Sequence, residues 1–217
     1  MSSTADPRHR HGDGACREGR VGARIRHLVL ALMAAVAAPM VAAQAPLQTV
    51  ARVDLDRYTG RWHEIATIPA FFQRKCVRDT EALYRRGDDG QIVVVNSCTR
   101  ADGGREDIEG RARIVDPVSN ARLEVSFVHV LGTWWFVFGG DYVVIGLDPD
   151  YRWALVAHPS RKYGWILART PSLPATLLAE LGGRLAAQGY DPCAFVLTPQ
   201  QDGPPPAPRL CDIAVPR

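Results

Sequence analysis

Few side chains in this sequence are arranged for catalysis, and the two best candidates are Glu64 and His129. Glu64 lies two residues after Trp62 in a predicted strand, where one carboxyl could act as a general acid or base. His129 could bind a metal ion or haem iron, but no second His or Cys stands at a supporting spacing. The sequence has no Ser–His–Asp order, phosphate-binding loop or metal motif. A lone buried carboxyl is more often held by hydrogen bonds than catalytic, so we predict no catalytic residue and no metal site.

The first 45 residues have the organisation of a secretory signal peptide and its leader. Arginines precede an apolar run at residues 28–38, and a small-residue cleavage site follows at 43–45. This run is too short to span the ~30 Å of a bilayer core as a helix. The cleavage site also lacks the cysteine that a lipid anchor requires. We therefore expect export to the periplasm or secretion as a soluble protein that is not a lipoprotein.

Removal of this leader changes the charge balance. Six of the 26 basic residues and three of the 23 acidic residues lie in it, which leaves 20 of each. A chain with no net charge lacks the basic surface that binds phosphates. The composition therefore excludes a nucleic-acid partner.

The four cysteines after the leader favour disulfide bonds. Cys76, Cys98, Cys193 and Cys211 form no C-x-x-C pair, so zinc binding is disfavoured. An even number of cysteines in an oxidising compartment is typical of paired thiols.

Short strands separated by turn signals fill most of the remaining chain, and no helical pattern separates them. This order predicts an all-β fold, an antiparallel up-and-down sandwich or closed barrel. Leucines from Leu173 to Leu185 at helical spacing predict one C-terminal α-helix, followed by a short strand at 194–198. We assign 46–200 to this domain and 201–217 to a Pro-rich tail. The eight predicted strands are residues 61–68, 80–86, 92–98, 107–115, 121–128, 141–147, 153–157 and 165–169.

Three separated pieces meet at one end of an eight-stranded up-and-down barrel. Gly60 and Trp62 begin the first strand, Asp150 and Tyr151 lie in the sixth-to-seventh turn, and Arg169 ends the eighth strand. The Arg169 guanidinium can lie over the Trp62 indole there, an attraction worth ~0.5–2 kcal/mol. We expect these residues to stabilise the closed end rather than contact a ligand.

The same motifs resemble the lipocalin family, and in particular the bacterial lipocalins and apolipoprotein D. The resemblance covers residues 53–200 and rests on Tyr-x-Gly-x-Trp-x-Glu-Ile-Ala at 58–66, Asp-x-x-Tyr-Arg-x-Ala-Leu-Val at 148–156 and Trp-Ile-Leu-x-Arg-Thr-Pro at 165–171. It implies an eight-stranded barrel, with the helix packed outside, that binds, stores or carries a fatty acid or lysophospholipid. Because the residues offer no catalytic or metal motif, we expect no cofactor and no catalysis. The alternatives are a calycin-type enzyme acting on a lipophilic substrate, or a haem or tetrapyrrole binder.

A lipid in such a barrel needs no special chemistry. Twelve buried methylenes give ~10 kcal/mol gross, and the cost of association leaves roughly micromolar binding. Strand parity, taken from Trp62 and Arg169, predicts the cavity residues Glu64, Ala66, Ala82, Tyr84, Trp165 and Leu167.

The loops at the open end carry many aromatic residues. They form either a rim that packs on itself or in a homodimer, or a gate that passes lipid between a membrane surface and the cavity. The aromatic residues expected at the mouth are Phe71, Phe72, Trp134, Trp135, Phe136 and Phe138.

The cysteine pairing has two possible solutions. The hairpin of strands two and three brings Cys76 near Cys98, which leaves Cys193 for Cys211 and ties the tail to the barrel wall. The resemblance to apolipoprotein D implies instead a bond between Cys76 and Cys211. We favour the hairpin pairing because it joins adjacent strands.

Overall fold

A computed structural model describes residues 44–200 and 208–213. Residues 1–43 of the predicted signal peptide and leader lie outside the described residues, as do 201–207 and 214–217 of the predicted tail. The helices are α1 (Leu55–Tyr58) and α2 (Ala175–Ala187). The strands are β1 (Gly60–Thr67), β2 (Cys76–Arg86), β3 (Ile92–Arg100), β4 (Arg105–Ile114), β5 (Arg122–Ser126), β6 (His129–Val130), β7 (Thr133–Trp134), β8 (Gly140–Leu147), β9 (Trp153–Ala157), β10 (Gly164–Ala168) and β11 (Val196–Leu197).

Strands β1–β5 and β8–β10 form a closed antiparallel barrel. Each of these strands pairs with the next one along the chain, and β10 pairs back with β1. Closure gives the first and last strands hydrogen-bonded neighbours on both sides. The predicted eight-stranded up-and-down barrel with one C-terminal helix is confirmed. The short strands β6 and β7 pair only with each other, in the loop between β5 and β8.

The helix α1 plugs one end of the barrel, which we call the closed end. The carboxylate of Asp54 accepts hydrogen bonds from the backbone N–H groups of Asp56 and Arg57, at 3.0 and 3.3 Å, and so caps the helix. Leu55 and Tyr58 point from it into the barrel. Because α1 has only four residues, its sequence carries no helical period, and the sequence did not predict this helix.

Apolar residues on the two faces of the barrel wall form two separate cores. The outer cluster lies between the wall and α2, where Leu178, Leu181 and Leu185 cover one face of the helix. Burial of each leucine contributes about 1.5–3 kcal/mol. The interior cluster fills the barrel and comprises Val53, Leu55, Tyr58, Trp62, Ala82, Tyr84, Ile92, Val94, Ala112, Ala121, Leu123, Val144, Tyr151, Ala154, Val156 and Leu167.

A β-bulge in β1 overturns one predicted orientation. Glu64 lies opposite Leu167, but the next paired residue, Ala66, lies opposite Ile166, so Ile65 is the extra residue. The bulge shifts the alternation of side chains by one position. Ala66 consequently packs in the outer cluster with Ile166, and the expectation that Ala66 faces the cavity is wrong.

The C-terminal segment completes the wall near this bulge. Strand β1 pairs with β2 only through Gly60–His63. Further along β1, Ala66 and Thr67 pair with β11 instead. Since the backbone N–H of Asp79 donates to the carbonyl of Pro199 at 2.9 Å, the chain after β11 also joins β2. The segment around β11 therefore fills a gap between β1 and β2 towards the open end.

Both disulfides of the hairpin solution are present. The Cα atoms of Cys76 and Cys98 are 5.5 Å apart, and those of Cys193 and Cys211 are 4.9 Å apart. The alternative Cys76–Cys211 bond is therefore not formed. The second disulfide brings Leu210 into the outer cluster, so the packed domain continues beyond residue 200.

Candidate functional site

The closed end is organised around Arg169. Its guanidinium carbon lies 3.9 Å from the centroid of the Trp62 ring, and its two Nη atoms donate to the carbonyls of Arg57, Thr59 and Arg61 at 2.7–2.9 Å. Gly60 has φ +92°, and a Cβ there would lie 3.2 Å from the guanidinium. The glycine is therefore required by its backbone conformation and by the close approach of Arg169.

The turn between β8 and β9 relies on Asp148 rather than on the predicted Asp150. Asp150 is exposed, whereas Asp148 is buried and accepts hydrogen bonds from the Arg152 guanidinium at 2.9 Å. These hydrogen bonds hold the pKa of Asp148 below its ordinary value. The Tyr151 hydroxyl accepts a hydrogen bond from the backbone N–H of Asp54 at 2.8 Å, which ties the turn to the cap of α1.

Three tyrosine hydroxyls meet inside the barrel. The hydroxyl of Tyr142 lies 2.8 Å from that of Tyr58 and 3.1 Å from that of Tyr84. Burial raises the pKa of Tyr58 and Tyr142 well above the ordinary value. Burial, with a smaller contribution from the Glu64 carboxylate, raises the pKa of Tyr84 to about 12. The three groups are therefore neutral hydrogen-bonding hydroxyls at physiological pH. We call them the tyrosine triad.

The triad borders a small cavity in the closed half of the barrel. Its volume is about 20 Å³, which is room for about one water molecule. Apart from the three hydroxyls its wall is almost entirely apolar. The lining residues are Val53, Leu55, Tyr58, Thr59, Tyr84, Ile92, Ala112, Leu123, Val125, Tyr142 and Val144.

Glu64 is a buried carboxyl on the barrel wall. Its two oxygens accept hydrogen bonds of 2.7 Å from the side chains of Gln73 and Thr198. Burial raises the pKa of Glu64, and these two hydrogen bonds oppose that shift. Gln73 belongs to the loop after β1, and Thr198 follows β11, so the carboxyl joins three parts of the chain. This arrangement matches a structural carboxyl held by hydrogen bonds.

The predicted cavity residues lie in different places. Ala82, Tyr84 and Leu167 belong to the interior cluster, and Trp165 packs against it. Tyr58 and Tyr142 were absent from the predicted set. The sequence carries one usable signal for Tyr142, which stands one residue before the buried Val143 in β8, on the opposite face.

Exposed apolar side chains lie on two of the loops that connect strands at the open end. Phe71 and Phe72 follow β1, and the others lie between β5 and β8. The most exposed is Leu131, at 98%. We call this set the rim, and its members are Phe71, Phe72, Leu131, Trp135, Val137 and Phe138.

Two aromatic residues predicted at the mouth lie elsewhere. Trp134 packs under the guanidinium of Arg111 at 4.9 Å, and Phe136 packs under that of Arg113 at 4.6 Å. Both arginines flank Ala112, which faces the interior, so they project from the outer face of β4. The expectation that Trp134 and Phe136 crowd the mouth is therefore wrong, because the loop folds back along the outside of the wall.

His129 packs its ring against Trp134, with centroids 4.6 Å apart. Within the described ranges, no group of three or more His, Cys, Asp or Glu side chains is placed to hold a metal ion. No helix in the described part of the chain is long and apolar enough to cross a membrane.

Sequence comparisons match this chain to lipocalins and related proteins. A family model described as a lipocalin-like domain matches residues 53–200. Temperature-induced lipocalin-1 of Arabidopsis thaliana is 41% identical over 160 residues, which are 73% of this chain and 86% of that protein. Outer membrane lipoprotein Blc of Escherichia coli K12 is 35% identical over 182 residues, 81% of this chain and 98% of that protein. Apolipoprotein D of Macaca fascicularis is 33% identical over 158 residues, 70% and 79% of the two chains.

Solved structures with the same architecture are more distant in sequence. Insecticyanin from the tobacco hornworm Manduca sexta matches with a TM-score of 0.58 at 21% identity, over 74% of this chain and 87% of that one. The cockroach allergen Per a 4 matches with a TM-score of 0.55 at 16% identity, over 73% and 96%. At these identities the likeness shows the fold alone.

Proposed function

Because this chain belongs to the lipocalin family, we propose that it is an exported protein that binds and carries a single-chain lipid, a fatty acid or lysophospholipid, inside its barrel. Membership in the family implies a small hydrophobic ligand. The observation that carries the proposal is the interior cluster, which gives the barrel an apolar interior that is sealed at the closed end. Such a lining stabilises a hydrocarbon chain by about 0.8 kcal/mol per buried methylene.

Entry of a lipid requires the interior to widen. Pockets for ligands of this size hold about 300–1,000 Å³, whereas the cavity beside the triad holds about 20 Å³. A single-chain lipid therefore needs more space than this cavity provides. Such widening lowers the net affinity, and we expect roughly micromolar dissociation constants.

We propose further that the rim docks on an anionic lipid surface. Its apolar side chains belong to two loops that connect strands at the open end, so insertion of both loops would place that end of the barrel against the bilayer. Arg74 and Lys162 are exposed on the open-end loops, and basic residues near a membrane surface contribute about 1 kcal/mol each. Apolar side chains with cationic neighbours match the chemistry of a membrane interface.

Export is supported by the disulfides. Two disulfides in a small domain are typical of oxidising compartments. The name of the Escherichia coli relative places that protein at the outer membrane. The predicted signal peptide agrees with the same route.

Displacement of a fluorescent lipid tests the proposed ligand. The exported, delipidated protein is loaded with 11-(dansylamino)undecanoic acid and titrated with palmitic acid or lysophosphatidylcholine. We expect one of the two to displace the dye at micromolar concentration with one site per chain. Native mass spectrometry of the protein recovered from the periplasm should show an added mass of the same class. Failure of both lipids to displace the dye, together with no retained lipid, would overturn the proposal.

A further inference from the structure

The three hydroxyl groups of the tyrosine triad have more hydrogens to donate than the hydrogen bonds between them require. Tyr58, Tyr142 and Tyr84 are joined by two hydroxyl–hydroxyl contacts, of 2.8 and 3.1 Å. Each contact uses one hydrogen, and three phenols supply three. Whichever way the hydroxyls are turned, one O–H remains. Among the described residues, none of the three hydroxyls has another hydrogen-bond partner, so this donor has no acceptor in the part of the chain that the structure describes.

The surplus donor faces an apolar space. All three tyrosines line the 20 Å³ cavity, whose other walls are formed mainly by valine, leucine and isoleucine side chains. Tyr58 and Tyr84 are each more than nine-tenths buried. Buried hydroxyls are almost always hydrogen-bonded. The cavity therefore provides one strong donor for an acceptor that comes from outside the chain.

The position and size of the cavity limit what that acceptor can be. The cavity lies towards the closed end, beneath α1, so the leading end of a ligand that enters from the mouth reaches it. A volume of about 20 Å³ accommodates a group of one or two heavy atoms. A hydroxyl group, or the O–H or C=O of a protonated carboxyl group, is of this size, whereas a phosphocholine headgroup is far larger.

We propose that the tyrosine triad is an inner subsite that accepts the small, uncharged polar end of a single-chain lipid, so that the lipid enters polar end first. This inference rests on the proposed lipid-binding function and narrows its ligand to a fatty acid in its protonated form or a fatty alcohol. The methyl end of the chain then lies towards the mouth.

The surroundings favour an uncharged group over a carboxylate. One hydrogen bond from a phenol does not compensate for moving a carboxylate from water into an apolar space. The guanidinium of Arg169 directs its hydrogen bonds to backbone carbonyls at the closed end and not into the cavity.

Carbon-13 NMR of bound palmitic acid tests the orientation directly. Two samples of the full exported protein receive palmitic acid labelled at the carboxyl carbon or at the terminal methyl carbon. A water-soluble gadolinium chelate is then added. We expect the chelate to broaden the methyl signal strongly and to leave the carboxyl signal sharp. At pH 7 the carboxyl carbon should show the chemical shift of the protonated acid.

Each other result overturns a different statement. Broadening of the carboxyl signal with a protected methyl signal would mean tail-first binding and would overturn the inner subsite alone. A protected carboxyl with the shift of a carboxylate would overturn the uncharged polar end. No bound signal from either label would overturn the narrowing to a fatty acid, and the proposed function itself would fall only if lysophosphatidylcholine also failed to displace the dye.

A hydroxyl-free variant assigns the effect to the triad. Replacing all three residues (Y58F, Y84F and Y142F) keeps the rings and removes the hydroxyls. We expect palmitic acid to bind roughly fivefold to tenfold more weakly, as for the loss of one hydrogen bond, and the carboxyl to lose its protection. The matched control is Tyr163→Phe at the open end, which should leave both properties unchanged. A triple variant with wild-type affinity and orientation would show that the hydroxyls do not form the subsite.

Discussion

The guanidinium of Arg169 stacks on the indole ring of Trp62, with 3.9 Å between the guanidinium carbon and the ring centroid. Arg169 follows the last barrel strand, β10, and Trp62 begins the first, β1. The indole Nε1 donates to the carbonyl of Tyr58 at 2.8 Å, which connects the pair to α1. The contact therefore fastens three elements at the closed end.

Truncation of this pair should reduce stability rather than ligand affinity. Trp62→Ala removes a fully buried indole and should lower the free energy of unfolding by ~3–5 kcal/mol. Arg169→Ala should lower it less, by about 1–3 kcal/mol. Urea denaturation measures both, with the exposed Arg61→Ala as the control. If both variants bound lipid poorly yet unfolded like the wild type, the two residues would belong to the ligand site.

The bulge in β1 makes two alanine positions behave differently. Ala82→Trp places an indole in the interior cluster and should weaken palmitic acid binding at least tenfold. Ala66→Trp overpacks the outer cluster and should instead destabilise the protein by ~1–3 kcal/mol, with little change in the affinity of the folded fraction. Dye displacement and urea denaturation measure the two effects. Blocked binding in Ala66→Trp with unchanged stability would refute the outer position of Ala66.

Glu64 should make stability depend on pH. Burial raises the pKa of Glu64 in the folded chain above its ordinary value of 4.5. The folded state then binds this proton more tightly than the unfolded state. The resulting stabilisation is complete below pH 4.5 and is lost as the pH rises through the folded pKa.

Glu64→Gln removes this titration. The stability of the wild type relative to Glu64→Gln should therefore fall as the pH rises from about 4 to 8, as measured by urea midpoints. Glu109→Gln, at an exposed carboxyl, serves as the control. A constant difference between the wild type and Glu64→Gln across this range would contradict the raised pKa.

The rim should carry the membrane interaction. Leu131→Asp introduces a charge at a nearly fully exposed rim position and should reduce binding to vesicles of phosphatidylcholine with phosphatidylglycerol at least fivefold. Val118→Asp is the matched control, because Val118 is 82% exposed in the turn between β4 and β5 at the closed end. Vesicle sedimentation measures both variants. Equal losses would place the membrane contact outside the rim, and a wild type that is dimeric through the rim would favour an interface between copies instead.

The disulfide between Cys76 and Cys98 should contribute substantially to stability. It closes a loop with a sequence separation of 22, and the chain-entropy model assigns such a loop roughly 3 kcal/mol. Cys76→Ser combined with Cys98→Ser should lower the free energy of unfolding by about this amount. Non-reducing peptide mapping should recover both disulfide-linked peptides from the wild type. A peptide joining Cys76 to Cys211 would contradict the structure.

The local sequence determined the architecture and the closed end. Strand period, turn residues and alternating connectivity are short-range properties, so they suffice to predict eight antiparallel strands and to place Trp62 and Arg169 together. The leucine spacing predicted α2 in the same way. The hairpin of β2 and β3 also predicted that Cys76 lies close to Cys98, because the paired residues of a hairpin can be counted outward from its turn.

Only the tertiary structure decided which side chains face the cavity. The bulge at Ile65 turns the side chain of Ala66 from the inner to the outer face of the barrel. It lies where the pairing partner of β1 changes from β2 to β11, and β11 is more than a hundred residues from β1 in sequence. Trp134 lies on the outer face of the wall, where its ring packs against the guanidinium of Arg111 in β4. Tyr58, Tyr84 and Tyr142 meet because a short helix and two distant strands converge on one interior space. Such convergence depends on packing across the whole barrel, which no local spacing records.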